Sequence, residues 1–129
     1  MVFLTFAVWV YLYALRIPEI NRMGIDPNDL QDRAEAHKLL RVSAAASNNL
    51  KNLFEVPVLF YLAAMITMLL MIQDDLLVGL AWGFVILRVV HSLVHCSYNR
   101  VMHRFIAYLI SCLLLLFMWI RLASYILNY

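Results

Sequence analysis

The residues able to do chemistry recur at helical spacing inside segments that are otherwise apolar. Asn48, Asn52 and Glu55 stand at intervals of four and three, on one helix face, with Lys51 four residues before Glu55. Arg88, His91 and His95 fall at i, i+3 and i+7. Arg104 and Tyr108 are four apart, and Cys112 extends their row by another four. An ionisable group at the centre of a bilayer costs at least about 2.5 to 3.5 kcal/mol, so it normally faces protein or trapped water and has a task. One shared polar pocket is the economical arrangement for three such rows. Glu55 set against Lys51, Arg88 and Arg104 leaves that pocket net positive, an environment that attracts an anionic ligand. Pro57 cannot donate to the carbonyl of Leu53, so the helix is expected to kink there and offer a free acceptor beside the row.

Each of these residues also has a plainer reading. A Glu55–Arg88 pair locks a bundle without any chemistry. His91 fits a hydrogen-bonded packing residue, Arg100 and Arg104 fit interfacial anchors, and Ala44-Ala45-Ala46-Ser47 fits close helix packing. Trp9, Tyr11, Tyr13 and Tyr129 suit interfacial belts. Cys96 and Cys112 make no CxxC pair and read as small buried hydrophobes. His91 and His95 have the spacing to hold a metal, but Arg88 and Arg104 would oppose a cation, so no metal site is expected. The chain carries no phosphate-binding glycine loop, no dinucleotide fingerprint, no H-E-x-x-H and no nucleophile elbow. What the plainer readings leave unexplained is the coincidence of three rows at one depth.

The elements that must position these rows are set by composition. Of 129 residues, 65% are hydrophobic and 14% charged, with a mean hydropathy of +0.82. A soluble body this small would expose much of that apolar material. The apolar residues fall in long runs, as in a chain whose solvent is lipid. A formal charge of +2 with no Lys/Arg tract argues against nucleic-acid binding.

Four apolar stretches are expected as helices, at about residues 1–16, 29–72, 76–97 and 101–128, in a single domain. The fold expected is an all-α integral membrane protein, a four-helix bundle. Met1 to Leu15 has neither a basic leader nor a small-residue cleavage site, so it reads as a membrane helix. It would reach only about 22 Å before Arg16. Either the helix runs on past Arg16 with that side chain snorkelling, or the native chain begins upstream. Asp26 or Asn28 is placed to cap the second helix. Gln73-Asp74-Asp75 alone joins the second and third stretches, as in an antiparallel hairpin. The first loop holds Arg16, Arg22, Arg33, Lys38 and Arg41, the third holds Arg100 and Arg104, and the hairpin holds no basic residue. The positive-inside rule then puts the first and third loops and the pocket on the cytoplasmic side, with both termini outside and Arg121 snorkelling near the outer end of the fourth helix.

The segments Asn52-Leu-Phe-Glu55-Val-Pro57-Val-Leu-Phe60, Leu87-Arg88-Val-Val-His91-Ser-Leu-Val-His95 and Asn99-Arg100-Val-Met-His-Arg104 resemble the MAPEG superfamily, the membrane-associated proteins in eicosanoid and glutathione metabolism. The likeness covers essentially the whole chain and is nearest to the short bacterial members. It implies a four-helix protomer, a homotrimer in the bacterial inner membrane, and glutathione bound between protomers near the cytoplasmic side. By position, Asn52 and Glu55 match the Asn-x-x-Glu that contacts glutathione, and Lys51 stands for a basic residue just before it. Arg16 resembles the Arg that approaches the tripeptide from the end of the first helix. Arg88 and His91 match an Arg-x-x-His, and Arg104 and Tyr108 match an Arg and a Tyr of the fourth helix, where the Arg stabilises the glutathione thiolate. His95 stands where the prostaglandin E synthase branch has a Tyr, and Phe105 where it has a Ser. Ala45, Asn48 and Asn49 occupy turns in which the eicosanoid enzymes carry further Arg residues. These departures speak against eicosanoid chemistry.

Two functions are therefore expected to compete. In one, the chain is a glutathione transferase or peroxidase acting on a lipophilic compound, with Arg104 and Tyr108 catalytic and Arg16, Lys51, Asn52, Glu55, Arg88, His91 and His95 binding glutathione. In the other, the same rows fasten helices in a non-catalytic subunit of a larger assembly, or bind lipid or a small anion.

Overall fold

The computed structural model describes residues 1–127, and the side chains of all of these except Pro27, Arg33 and His37. Residue 128, the expected end of the fourth helix, and Tyr129 lie outside the described residues. Among the described residues the secondary structure is entirely helical: α1 (Val2–Met23), a 3₁₀ turn (Pro27–Leu30), α2 (Arg33–Leu39), α3 (Ala44–Leu53), α4 (Val56–Leu69), α5 (Asp75–Cys96) and α6 (Val101–Leu127). Four helical stretches are long and apolar enough to cross a bilayer, Val2–Met23, Ala44–Leu69, Asp75–Cys96 and Val101–Leu127. The protein is an all-α integral membrane protein. The first helix does run past Arg16. With 22 residues it reaches about 33 Å at 1.5 Å per residue, enough for a hydrocarbon core of about 30 Å.

The chain divides into two compact units, Met1–Lys51 and the part that begins at Asn52. In the first, α1 ends at Gly24, whose left-handed backbone (φ 59°) lets its N–H return to the Ile20 carbonyl. Asp26 caps the 3₁₀ turn through the Asn28 N–H, and Asp32 caps α2 through the Ala34 N–H at 2.9 Å. The helix expected over 29–72 is not continuous. In an unbroken helix the N–H groups of Val42 and Ser43 would return to the carbonyls of Lys38 and Leu39. Glu19 takes them instead, its two carboxylate oxygens accepting at 2.7 and 3.0 Å. A residue of α1 thereby separates α2 from α3.

In the second unit, Phe60 of α4 stacks on Phe84 of α5, with ring centroids 4.8 Å apart, and α5 packs along α6. The approach of α5 to α6 is close at Gly83, where a Cβ would lie 2.8 Å from Leu114 Cδ1. At the α4–α5 turn, Asp74 caps α5 with one carboxylate oxygen, accepting from Leu76 N–H at 2.8 Å and Leu77 N–H at 3.3 Å. The other oxygen accepts from Arg121 Nε at 2.8 Å and from the Tyr125 hydroxyl at 2.9 Å. Arg121, expected simply to snorkel, forms an ion pair that ties the start of α5 to the end of α6. Outside these contacts most large apolar side chains are exposed, as suits helices whose surroundings are lipid.

Candidate functional site

α5 is apolar around most of its circumference, yet Arg88, His91 and His95 are 0%, 2% and 2% exposed. A helix in lipid turns such residues inward because a lipid-facing charge has no partner. On the facing side α6 presents Arg104 and Tyr108, one turn apart and half-buried. The Arg88 guanidinium lies over the Tyr108 ring, 5.2 Å from its centroid, and the His91 ring centroid is 5.7 Å from that of Tyr108. His91 and His95 meet edge to face at 5.7 Å.

The hydrogen bonds fix which atoms do what. Nδ1 of His91 lies 3.0 Å from the Arg104 carbonyl, which only accepts, so this nitrogen is the donor. Nη1 of Arg104 is 3.2 Å from Nε2 of His95, and a guanidinium only donates, so Nε2 accepts. The same Nη1 donates to Oδ1 of Asn99 at 2.8 Å. Arg88 donates from Nη2 to the carbonyl of Asn52 at 2.7 Å. In a continuous helix that carbonyl would be bonded to the N–H of Val56. The kink expected at Pro57 is thus a complete break between α3 and α4, and the carbonyl of Asn52, one residue before Leu53, is the acceptor that Arg88 takes there. Glu55, at the break, acts electrostatically on both Arg88 and Tyr108. Nε and Nη1 of Arg88, Nε2 of His91 and Nδ1 of His95 are buried without hydrogen-bond partners among the described residues.

The geometry thus joins the Asn52–Glu55 segment, the Arg-x-x-His of α5 and the Arg and Tyr of α6 in one polar cluster. The MAPEG family model matches residues 1–124. The chain belongs to the MAPEG family. No curated protein and no solved structure matches it significantly.

In this MAPEG protein six of the nine expected site residues, Asn52, Arg88, His91, His95, Arg104 and Tyr108, are linked by direct contacts, with Glu55 acting on two of them through space. Arg16 and Lys51 belong to the first unit: Arg16 is half-buried one turn before Glu19, and Lys51 is exposed in the last turn of α3. On α3 the buried polar residue is Asn49, at 0% exposure, whereas Asn48 of the expected row is exposed. Cys112 continues the row of α6, half-buried one turn beyond Tyr108. Among the described residues no three His, Cys, Asp or Glu side chains are grouped to hold a metal ion. Spacing alone gave no signal for Asn99, because its side chain reaches Arg104 from a turn and not from a helix face.

Proposed function

We propose that this MAPEG protein is a glutathione-dependent membrane enzyme, a transferase or a peroxidase, acting on a lipophilic electrophile that enters from the bilayer between helices. Arg104 stabilises the glutathione thiolate, since a guanidinium beside sulfur favours the anion and makes the stronger nucleophile available at neutral pH. In transfer, the sulfur forms a bond to an electrophilic carbon and the electron pair leaves with the departing group or is protonated on the acceptor. In peroxide reduction, the sulfur takes one oxygen, an alcohol leaves, and a second glutathione converts the sulfenic acid to disulfide and water. Tyr108 donates a hydrogen bond at the reacting atoms. Arg16, Lys51, Asn52, Glu55 and Arg88 hold the tripeptide, and His91 and His95 contribute by holding Arg104.

The observation that carries this reading is the contact of Arg104 and Tyr108 with Arg88, His91 and His95 in a chain of this family. The family resemblance supports a homotrimer in the bacterial inner membrane as the active form, and the basic residues of the first and third loops support a site toward the cytoplasm. The test is calorimetric titration of the detergent-solubilised protein with glutathione, together with conjugation of a lipophilic aryl halide. Arg104→Ala is expected to stay folded and lose conjugation by on the order of 100- to 1,000-fold. A trimer that binds no glutathione would overturn the proposal.

One observation favours a second reading. Arg88 and His91 both spend a donor on a backbone carbonyl, as groups do that fasten helices. On that reading the chain is a non-catalytic accessory subunit or a lipid or anion binder, and glutathione protects nothing.

A further inference from the structure

Arg104 is gripped at one nitrogen from two directions, by Asn99 Oδ1 at 2.8 Å and by His95 Nε2 at 3.2 Å. A terminal guanidinium nitrogen carries two hydrogens, so Nη1 is fully used. The donors on Nε and Nη2 take no part in either bond, and together they form the fork that meets an acceptor with two parallel N–H groups. His91 adds a third hold, on the backbone carbonyl of the same residue.

Asn99 reaches this position from an unusual backbone. Its φ of 48° lies in the left-handed region, which Asn tolerates better than most side chains. Its N–H closes the end of α5 on the Val94 carbonyl at 2.9 Å. Only residues 97–100 separate α5 from α6, and the left-handed residue reverses the chain so that the Asn99 side chain meets the first turn of α6. Glycine would make the same turn with less strain. Asparagine makes it and also supplies an acceptor.

We propose that Asn99, with His95, is a positioning residue for Arg104: by occupying Nη1 it turns the guanidinium so that its Nε–Nη2 fork faces the thiolate of the bound thiol. The thiol part of this statement rests on the reading of Arg104 given above. The hold on the guanidinium does not.

The test separates the turn from the acceptor. Asn99→Gly keeps the left-handed backbone and removes Oδ1, whereas Asn99→Asp keeps an oxygen acceptor. Without any ligand, side-chain nitrogen NMR of the detergent-solubilised protein should show hindered rotation at Arg104 Nη1 in the wild type and in Asn99→Asp, lost in Asn99→Gly. With saturating glutathione, the ultraviolet absorbance of the bound thiolate and kcat should both fall about tenfold in Asn99→Gly while KM stays within about twofold, and Asn99→Asp should recover to within about threefold of wild type. Unchanged rotation and thiolate absorbance in Asn99→Gly would overturn the proposal, and so would equal losses in both variants. If the wild type binds no glutathione, the thiol reading of the site fails and the NMR comparison alone decides whether Asn99 holds Arg104.

Discussion

Glu19 stands among polar residues near the end of an apolar helix and gives no sign, in sequence, of being anything but solvated. In the fold it is 7% exposed, with one oxygen on each of two backbone N–H groups, at Val42 and Ser43. The Ser43 N–H is a free donor at the start of α3 and the Val42 N–H lies in the turn just before it; neither has a helical partner, and a negative charge at a helix start is favourable. The cap lies 23 and 24 residues away along the chain, so no local pattern announces it. Truncation leaves both donors without an acceptor. Glu19→Ala is therefore expected to cost about 1 to 3 kcal/mol by thermal unfolding in detergent, and Glu19→Gln, which keeps one oxygen, about half as much. Equal stability of all three proteins would show that the carboxylate does not organise the 40–43 segment. Asn99 escapes a spacing argument for the same reason, because its partner is reached through a turn. Arg88, His91 and His95 on α5, and Arg104 and Tyr108 on α6, were legible because within each helix they sit at helical intervals, and an ionisable group in an apolar helix has few places to go.

Elements were legible in proportion to how far each is governed by its own residues. The helices that end at Cys96 and Leu127 follow from apolar length alone, whereas the first, expected to about residue 16, runs on through Arg16 to Met23. The second apolar stretch does not follow from length, because its breaks at 40–43 and 54–55 depend wholly or in part on residues of other helices. One is made by Glu19, the other by Pro57 acting with the Arg88 donor on Asn52. The α4–α5 turn shows the same dependence on a distant partner. The Arg121 guanidinium holds the Asp74 carboxyl down at about 2, against the opposing effect of partial burial and with help from Tyr125 and the Leu76 and Leu77 N–H groups; its ordinary value is 3.8. Because the value is lowered in the folded state, the stabilisation is complete above the ordinary value and is lost as pH falls through about 2. Melting temperatures measured from pH about 5 to about 2 should therefore fall more steeply for the wild type than for Asp74→Asn. The variant should be the less stable at neutral pH and should meet the wild-type curve at the acid end. Parallel curves would mean that the ion pair contributes nothing to holding α5 against α6.

At the scale of the whole molecule, an apolar chain has little reason to bury cations unless they serve a ligand or its own helices, and the two uses make different demands on thermodynamics. A fastening role is complete in the protein alone. A binding role leaves capacity unspent, and Arg88 Nε and Nη1 are buried donors without partners among the described residues. A ligand that binds only the folded state stabilises it by RT ln(1 + [L]/Kd), about 2.7 kcal/mol at a hundred times Kd. In a chain of this size that corresponds to a rise of roughly 8 to 15 °C in melting temperature. For the wild type the rise is expected with glutathione and should be largely lost in Arg104→Ala. Two controls separate the alternatives. An equal rise with sulfate at the same ionic strength would assign the cations to general anion binding, since sulfate is an anion like glutathione but has no thiol. No rise with either, in a protein that Arg88→Leu destabilises, would leave the guanidinium on the Asn52 carbonyl as a fastening between α5 and the end of α3, and the enzymatic reading would fall.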